Sequence, residues 1–522
     1  MIPEEYLRRL PQLIKQLEER LPASGNPIPA VPSDRSAIAG NSIGTGSDYH
    51  PAPGMLDEAL QNLVDRLSRH YPFHQSCYAG QMLKPPHPAA WLAYALAMTI
   101  NPNNHALDGG PEASFMEKEV VQRLKRMIGF PEKAIGHLTS SGTIANLEAL
   151  WVARELHPDR PVAISSQSHY THKRMCQLLR HPVITLPEDA DGLPDPSRLP
   201  SGEPLPGTVV VTMGTTGTGR VEPLHRILPW AASNGIRIHV DAAYGGFFYL
   251  ISESGLLDSA PWTALPDVDS IVIDPHKHGL QPYGCGSVLF RDPVVGKLYR
   301  HDSPYTYFTS DDLHLGEISL ECSRAGAAAV ALWFTMQLLM PDDKNSGAPS
   351  RQAASADTPD SGNKTGNEAN NTTSNTANST TGKTAAKADL PHMLADCRKA
   401  ALRLHDDLDK SARFQPVMKP ELDIVTYIPL ISESSFSAVS RASGEIMKLG
   451  MDAPTGRDKL YLSTLILSRK EAERWLPSLK ADAEQVRVLR SVLMKPEHLD
   501  AVPDIMRRLN RLYDRFLSAR PA

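Results

Sequence analysis

The stretch SIVIDPHKHG, residues 270–279, runs from apolar, β-branched residues directly into a polar turn. The stretch IRIHVDAAYGG, residues 236–246, likewise joins a strand-like run to a carboxylate and small residues. Such runs alternate with segments of helical period, and the predicted strands are 162–166, 209–212, 236–240, 271–273 and 287–290. This alternation indicates an α/β fold, in which a mainly parallel sheet carries helices on both faces.

Outward from this core, composition divides the chain into four predicted parts. Residues 1–100 are predicted to form an N-terminal helical arm, and residues 101–341 hold the alternating pattern of a large domain. Residues 342–389 are rich in Ser, Thr, Asn, Ala, Gly and Lys. Because such a segment buries too little apolar surface to offset its ordering entropy, we expect a disordered low-complexity insert. Residues 390–522 are predicted to form a smaller C-terminal α+β domain.

Composition also restricts the class of protein. Of 522 residues, 41% are apolar and 22% are charged, and the formal net charge is -5. We therefore expect no nucleic-acid partner, because phosphate backbones need a concentrated basic surface. Charges interrupt every apolar run of MIPEEYLRRLPQLIKQLEERL, so neither a secretory signal nor a membrane partner is expected. The five cysteines are scattered and never form a CxxC pair, which favours a reducing, cytoplasmic location.

Lys277 and Asp241 each follow a predicted apolar strand, at the sheet edge where α/β proteins bind ligands. A lysine there can form an imine with pyridoxal 5'-phosphate, while Asp241 pairs with the ring nitrogen and the small Ala243 lets the ring lie close. The alternatives are a surface lysine and a helix-capping aspartate. The position of Lys277 between His276 and His278, directly after an apolar strand, favours the cofactor site.

Small polar residues at two turns predict where a phosphate group would bind. Ser141, Gly142 and Thr143 open a helical run, and helix N-termini attract anions, although such residues often simply cap the helix. Thr215 and Thr216 follow the strand TVVVT, and either could contact the cofactor. The glycine spacing does not match GxGxxG, so a dinucleotide site is not predicted.

His169 follows the predicted strand VAISS, and its imidazole could stack on the cofactor ring. With His172 three residues later, a metal pair is an alternative. No acidic or cysteine ligands accompany the two histidines, and HxxH alone is a weak zinc signal, so we favour stacking and predict no metal. Asp274, in the DPHK turn itself, is a further candidate for a cofactor contact.

Four motifs together resemble those of a known family: NPNNHALDGGP, LTSSGTIANLEAL, HVDAAYGGF and DPHKHG. Over about residues 78–333 the chain resembles the group II pyridoxal phosphate-dependent amino acid decarboxylases, with a pattern nearest to prokaryotic tyrosine or aspartate decarboxylases. The resemblance implies the type I pyridoxal phosphate-dependent transferase fold, and a homodimer with active sites at its interface and residues 1–100 as its dimerisation segment. It also implies decarboxylation of an L-amino acid to its amine and CO2, with an aromatic substrate favoured over an acidic one.

Carried over residue by residue, the resemblance implies Lys277 as the imine lysine and Asp241 on the ring nitrogen. Ala243 and His169 would lie on opposite faces of the ring. The loop that carries Tyr78 would contribute to the substrate site. The residues expected near the phosphate are Ser141, Gly142, Thr143 and His276.

The resemblance leaves several positions open. Tyr305 and Tyr307, in HDSPYTYFTSDD, are candidates for the proton donor, with ordinary packing as the alternative. Arg324 could contact the phosphate or the partner subunit, with a surface or interface ion pair as the alternative. His278 departs from the family, whose members often have a bulky apolar residue after the lysine. The second hypothesis is another type I enzyme, such as an aldehyde synthase, a carbon-carbon lyase or an aminotransferase, and the third is an inactive scaffold.

Overall fold

The computed structural model describes residues 4–20, 54–200, 202, 204–300, 319–340, 389–453 and 458–519. Tyr305 and Tyr307 lie outside these ranges, as does all of the predicted insert except Asp389. The division of the chain into four parts stays a prediction.

Seven strands form the larger sheet, and continuous β-branched runs such as TVVVT supply its centre. In chain order they are β1 (Ile135–Thr139), β2 (Val162–Ile164), β3 (Val183–Thr185), β4 (Thr208–Thr212), β5 (Arg237–Asp241), β6 (Ser270–Ile273) and β7 (Gly286–Phe290). Their order across the sheet is β1-β7-β6-β5-β4-β2-β3. Strand β7 is antiparallel to both of its neighbours, and the other pairs are parallel. The predicted α/β class and mainly parallel sheet are confirmed.

Helices cover both faces of this sheet. In chain order, the helices up to the end of this sheet region are α1 (Glu4–Arg20), α2 (Met55–Leu67), α3 (Pro88–Met98), α4 (Pro111–Met127), α5 (Gly142–Leu156), α6 (Thr171–Leu178), α7 (Leu224–Ser233), α8 (Ala260–Thr263), α9 (Gly296–Tyr299) and α10 (Gly326–Leu339), of which α2 has no buried residue. Val209 and Val211 of β4 belong to a core cluster with α4, α7 and α10, whereas Val210 packs with α5 and α6. This alternation follows from the two-residue period of a strand.

A second, smaller sheet lies in the C-terminal part and is antiparallel throughout. It contains β8 (Phe414–Pro416), β9 (Ile424–Pro429), β10 (Ser463–Ser468) and β11 (Gln485–Val492), in the order β10-β11-β9-β8. Its helices are α11 (Leu390–Asp409), α12 (Phe436–Asp452), α13 (Arg469–Trp475) and α14 (His498–Ser518). Val425 and Leu489 of the sheet share a core cluster with α11, α12 and α14. The predicted α+β character of this part is confirmed.

Local sequence explains where several helices begin. The side chains of Ser141, Asp389 and Ser435 each accept a hydrogen bond from a backbone N–H in the first turn of α5, α11 and α12, respectively. Helix α13 begins with a complete capping box between Ser468 and Glu471. In the part of the chain that the structure describes, none of the helices is long and apolar enough to cross a membrane.

A buried polar network joins the large sheet to the C-terminal part. The Nε2 atom of His278 lies 2.8 Å from Oδ2 of Asp423, and the Tyr244 hydroxyl donates a 2.6 Å hydrogen bond to Oδ1 of the same carboxylate. Burial alone would raise the pKa of Asp423, but the contacts with His278 and Tyr244 outweigh it and lower that pKa. His278, the departure from the family pattern, therefore has a structural partner in the smaller part.

Candidate active site

Six strands of the large sheet run in the same direction, so their carboxyl ends lie at one edge, where α/β proteins bind ligands. A cavity at this edge is lined by Ser141, Gly142, Thr143, Asn146, His169, Thr171, Thr212, Gly214, Thr216, Asp241, Ala243, Tyr244, Asp274, His276 and Lys277. Of the predicted site residues that the structure describes, Thr215 and Tyr78 are not part of this lining.

Lys277 lies in the turn that follows β6. Its Nζ atom is 3.3 Å from Oδ2 of Asp274, and its side chain is 25% exposed. The backbone N–H of Lys277 also donates a 2.9 Å hydrogen bond to the carbonyl oxygen of Asp274. Asp274 therefore holds both the backbone and the amine of this lysine, while the amine stays accessible from the cavity.

Asp241 is the last residue of β5, the strand next to β6. Its Oδ1 accepts a 3.1 Å hydrogen bond from the N–H of Ala243, and its Oδ2 lies 3.2 Å from Nε2 of His172. Burial works to raise the pKa of Asp241, but His172 and the charge of Lys277 outweigh it and hold that pKa well below its usual range. The contact with Ala243 is a local turn rather than a helix cap, since the next helical segment begins at Gly246.

Behind Asp241, buried polar side chains fix the position of His172. The Oδ1 atom of Asn146 lies 3.2 Å from Nε2 of His172 and 2.9 Å from Nε2 of His239. The Asn146 amide donates a 2.8 Å hydrogen bond to the carbonyl oxygen of Gly142. Burial lowers the pKa of His239 to about 3, so its imidazole is neutral near pH 7. Asn146 thus connects the histidine on Asp241 with the start of α5.

The sequence alone predicts no role for Asn146, and it offers a metal pair with His169 as the alternative for His172. The available signal for Asn146 was its spacing, because it lies one helical turn after Gly142. No comparable local signal exists for His172, whose partner Asp241 is far away in the sequence.

The N-terminus of α5 opens into the cavity. The Oγ of Ser141 accepts a hydrogen bond from the N–H of Ile144, so the capping alternative applies to this serine. A Cβ on Gly142 would lie 2.4 Å from Oδ2 of Asp274, and a Cβ on Gly286 would lie 2.6 Å from the carbonyl carbon of Ser141. The two glycines therefore allow this helix to approach β6 and β7 closely. Its free N–H groups and its dipole favour an anion at this end.

His169 and Ala243 both line the cavity. The Nδ1 atom of His169 lies 2.6 Å from the Thr171 hydroxyl oxygen and accepts a 3.3 Å hydrogen bond from the Thr171 N–H, which fixes the ring. Burial lowers the pKa of His169, with the charge of Asp241 acting in the opposite direction. The ring is therefore neutral near pH 7 and available for stacking.

The two threonines predicted after β4 differ in their surroundings. Gly214, with φ of 96°, and Thr215 both donate backbone N–H hydrogen bonds to the carbonyl oxygen of Arg220. The Thr215 hydroxyl accepts from the Arg220 N–H and lies 3.0 Å from the Thr218 hydroxyl, so it is occupied within the turn. Thr216 lines the cavity. A cofactor contact by Thr215 stays a prediction.

Three buried polar atoms of the cavity residues have no hydrogen-bond partner within the described ranges. They are Oγ1 of Thr212, Oδ1 of Asp274 and Nδ1 of His276. Unpaired buried polar atoms are costly, so their presence here indicates a polar ligand. Thr212 lies opposite Asp241 in the β4–β5 register, and this position at a strand end was the signal that sequence analysis missed.

The residues present fit pyridoxal 5'-phosphate. The cavity offers an accessible amine for the cofactor aldehyde, a buried carboxylate for the ring nitrogen and a helix N-terminus for the phosphate. Burial also lowers the pKa of His276, which stands beside Lys277 with an unpaired ring nitrogen. The same cavity thus brings together the groups that covalent attachment, charge pairing and anion binding would need.

Tyr78, predicted to contact substrate, lies in an aromatic cluster with Tyr71, Phe73 and Tyr461. Its ring centroid is 6.3, 4.9 and 5.7 Å from those of the three partners, respectively. Lys495 holds this loop by donating hydrogen bonds to three of its carbonyl oxygens, one of them that of Tyr78 itself. A substrate contact by Tyr78 stays a prediction.

Arg324 takes part in a buried ion pair rather than in the phosphate site. One guanidinium nitrogen lies 2.5 Å from Oε1 of Glu117, and another donates a 2.6 Å hydrogen bond to the carbonyl oxygen of Asn104. The sequence offered a surface or interface ion pair as the alternative, and its location is wrong, because the side chains of both Arg324 and Glu117 are buried within the chain.

Comparison with known proteins gives concordant results. Residues 74–340, just over half of the chain, match the family described as the pyridoxal-dependent decarboxylase conserved domain. A probable L-tyrosine/L-aspartate decarboxylase of Methanoculleus marisnigri is 30% identical over 275 residues, which cover 50% of this chain and 70% of the relative. An L-2,4-diaminobutyrate decarboxylase of Rhizobium meliloti is 32% identical over 281 residues, covering 49% and 55%, respectively.

Solved structures support the fold over the full length. Tryptophan decarboxylase of Catharanthus roseus, in complex with L-tryptophan, superposes with a TM-score of 0.68 at 16% identity, covering 98% of this chain and 97% of that one. Sheet order, smaller domain and cavity together define a pyridoxal phosphate-dependent enzyme of the type I fold. The sequence matches narrow the class further. The chain belongs to the pyridoxal-dependent decarboxylase family and is a pyridoxal phosphate-dependent amino acid decarboxylase.

Proposed function

We propose that the protein converts an aromatic, tyrosine-like L-amino acid to its amine and CO2, in preference to aspartate or glutamate. The observation that carries the reaction is the meeting of Lys277, Asp241 and the N-terminus of α5 in one cavity. The aromatic preference is supported by an L-tyrosine decarboxylase of Enterococcus faecium, 28% identical over 414 residues, whereas the name of the Methanoculleus marisnigri relative includes aspartate beside tyrosine. The diaminobutyrate enzyme of Rhizobium meliloti makes a cationic side chain the next candidate to test.

In this proposal Lys277 holds the cofactor covalently and Asp274 orients the lysine. The 3.3 Å contact between the Lys277 amine and the Asp274 carboxylate supports this role, because it keeps the amine at the cavity wall. The Lys277 amine would hold the cofactor aldehyde, and when free it would lie close enough to the cavity to accept or return a proton.

Asp241 is proposed to keep the ring nitrogen of the cofactor protonated. When bound, the cofactor takes up the electron pair left behind as the bond between the α-carbon and the carboxylate breaks. Asp241 can stabilise that charge because His172 holds its carboxylate ionised inside the protein. His172 acts as a positioning residue in this arrangement, since it touches Asp241 and does not line the cavity.

The remaining lining residues would fix the plane of the cofactor ring and its phosphate. His169 and Ala243 are proposed to lie on opposite faces of the ring. The residues proposed for the phosphate group and its neighbouring atoms are Ser141, Gly142, Thr143, Thr215, Thr216 and His276. A Cβ on Gly142 would clash with Asp274, which supports a cradle built on backbone N–H groups.

The proton that reaches the α-carbon is proposed to come from Tyr305 or Tyr307, which lie outside the described residues. Tyr78 is proposed to reach a substrate from its loop. Tyr283 supports such a route, because its ring lies 5.2 Å from the His276 ring and its hydroxyl donates to the Met82 carbonyl oxygen of that loop.

A homodimer and a cytoplasmic location complete the proposal. Helix α2 supports the dimer, because no residue of this helix is buried in the single chain. Leu56, Leu60, Leu63 and Leu67 recur at helical spacing, and each is about half exposed. Four of the five cysteines, which are all free, are buried, as is common in a reducing compartment.

The decisive experiment is a panel of amino acids, given to the purified enzyme with added cofactor. CO2, amine, hydrogen peroxide and keto acid are measured for aromatic, acidic and cationic substrates. We expect equimolar CO2 and amine, with the largest kcat/KM for an aromatic side chain. Release of keto acid without CO2 would exclude the proposed reaction, and stoichiometric peroxide with aldehyde would favour an aldehyde synthase.

The role of Lys277 is tested separately by absorbance. We expect the wild-type protein to show a visible band of lysine-bound cofactor that disappears on reduction. Lys277→Ala should lack this band and the activity, while Lys297→Ala, at an exposed position in α9, should keep both. A band that survives in Lys277→Ala would contradict the assignment.

A further inference from the structure

A second cavity of about 490 Å³ lies away from the active site, between α7, the 257–262 segment and the smaller part of the chain. It shares no lining residue with the active-site cavity. Its wall contains apolar groups such as Trp262, Leu257 and Pro261, and the charged lining residues are Arg226, Arg398, Lys419, Asp258 and Glu421. An apolar pocket with a few converging polar groups is the usual form of a small-molecule site.

Arg398 is the unusual residue of this cavity. Its residue exposure is 5%, yet no carboxylate of the described residues lies within ion-pair distance. Its Nε donates to the carbonyl oxygen of Leu256 and one terminal nitrogen donates to that of Leu422, both at 3.0 Å. The hydrogen bonds described for Arg398 leave its other terminal nitrogen without a partner. This nitrogen is not among the fully buried unpaired atoms, so it is accessible to a ligand, and an anion in the cavity would supply the ion pair that Arg398 lacks.

Two carboxylates, Glu421 and Asp423, lie near Arg398 and offset part of its charge, but neither forms an ion pair with it. Glu421 is engaged by Arg220 at 3.2 Å and by the N–H of Val221, and Arg226 is paired with Asp189. Asp258 accepts a hydrogen bond from the N–H of Ala260. Lys419 makes no ion pair with a described residue. The buried Nδ1 of His225, another lining residue, likewise has no described partner. Burial lowers the pKa of Arg398 to about 10, so the guanidinium still carries its charge near pH 7.

We infer that this cavity binds a small organic anion, whose carboxylate or phosphate group pairs with Arg398 and whose apolar body packs against Trp262, Leu257 and Pro261. The planar guanidinium suits either oxyanion, and Lys419 at the mouth adds attraction. The site is independent of the substrate proposed above, since its residues do not reach the active-site cavity.

The test is calorimetric titration of the cofactor-loaded enzyme with phenyl phosphate and benzoate, with benzyl alcohol as the neutral probe. We expect saturable binding of at least one of the two anions and none of the alcohol. Arg398→Met, which keeps the length of the apolar stem, should weaken binding roughly 10- to 100-fold. Inorganic phosphate should bind more weakly than phenyl phosphate, because it lacks the apolar body.

Two charge-reversal variants test the inference even if Arg398→Met does not fold. Lys419→Glu should weaken anion binding about fivefold or more, whereas Lys410→Glu, an equal charge change at another exposed position, should not. The inference is overturned if neither anion binds, or if Lys419→Glu and Lys410→Glu bind alike. Equal affinities for phenyl phosphate and inorganic phosphate would overturn the apolar contact.

Discussion

Glu222 and Asp241 are two buried carboxyl groups near the same histidine, yet they are held in different charge states. The carboxylate of Asp241 is in contact with His172, and this contact lowers the pKa of Asp241. Glu222 accepts hydrogen bonds from two neutral groups, the Ser165 hydroxyl and the Thr212 N–H. Burial raises the pKa of Glu222 to about 7. Of the two, Asp241 is therefore the carboxyl group that is fully charged near pH 7, as its proposed role beside the cofactor ring requires.

Replacing Asp241 by Asn is expected to lower kcat about 100-fold or more, because a neutral amide cannot stabilise a proton on the ring nitrogen. Kinetics with the best substrate of the panel, together with the absorbance of the bound cofactor, measure this effect. Asp191→Asn, the same change at an exposed position, is the control and should behave as wild type. A wild-type kcat in Asp241→Asn would contradict the role of this carboxylate.

Glu222 gives a prediction for the pH dependence of stability. Its pKa is higher in the folded state than in the unfolded state, so the folded protein binds more protons between pH 4.5 and about 7. The contribution of Glu222 to the free energy of unfolding is therefore greatest below this window and falls as pH rises, by up to about 1.4 kcal/mol per pH unit.

Glu222→Gln removes this titration. As pH rises from 4.5 to about 7, the free energy of unfolding of the variant should therefore increase relative to that of the wild type. Denaturant unfolding at several pH values measures the difference. Glu445→Gln, at an exposed position in α12, should run parallel to the wild type. Parallel profiles for both variants would show that Glu222 does not titrate as described.

At the scale of elements, the close approach of α5 to β6 should be sensitive to a single methyl group. In Gly142→Ala the new Cβ would lie 2.4 Å from Asp274, so the carboxylate or the helix must shift. We expect weaker cofactor binding and slower decarboxylation, measured by absorbance titration and kcat. In Gly444→Ala the Cβ would make an ordinary 3.7 Å contact with Arg487, so this helix glycine is a matched control that should keep full cofactor affinity.

The strands of the large sheet differ in how well the sequence alone predicts them. Predicted strands 209–212 and 271–273 lie within β4 and β6, because β-branched runs buried on both faces are distinctive. Strand β1 was missed, since its sequence IGHLT contains glycine and histidine and its pairing depends on β7. Strand β3 was missed because it has three residues and is partly exposed.

The residues of the candidate active site also divide into those that local sequence predicts and those that it does not. Lys277 and Asp241 could be found because each directly follows a strand that the sequence predicts. His172 and Asn146 lie on helices, and their value comes from contacts across α5, α6 and β5. Asp423 is more distant still, since it reaches His278 from the start of β9 in the smaller part. Local patterns carry no information on such pairings.

At the scale of the whole molecule, the exposed leucines of α2 predict a dimer that can be disrupted. Leu60→Glu combined with Leu63→Glu should shift the protein towards monomer, because the charges would be buried at the proposed interface. Sedimentation velocity measures the change. Asn62→Glu, on the polar side of the same helix, should leave the assembly intact. A double variant that sediments as the wild type would exclude α2 from the interface.

The position of β7 has a consequence for how the protein is made. Strand β1 forms one edge of the large sheet and pairs within it with β7 alone. During synthesis β1 emerges first, so it has no partner strand until residues 286–290 leave the ribosome. Such a long-range pairing is slow to form. Helix α5 follows β1, and its N-terminus lies against Gly286 of β7. A nascent chain would therefore be able to bind the cofactor only after β7 has joined the sheet.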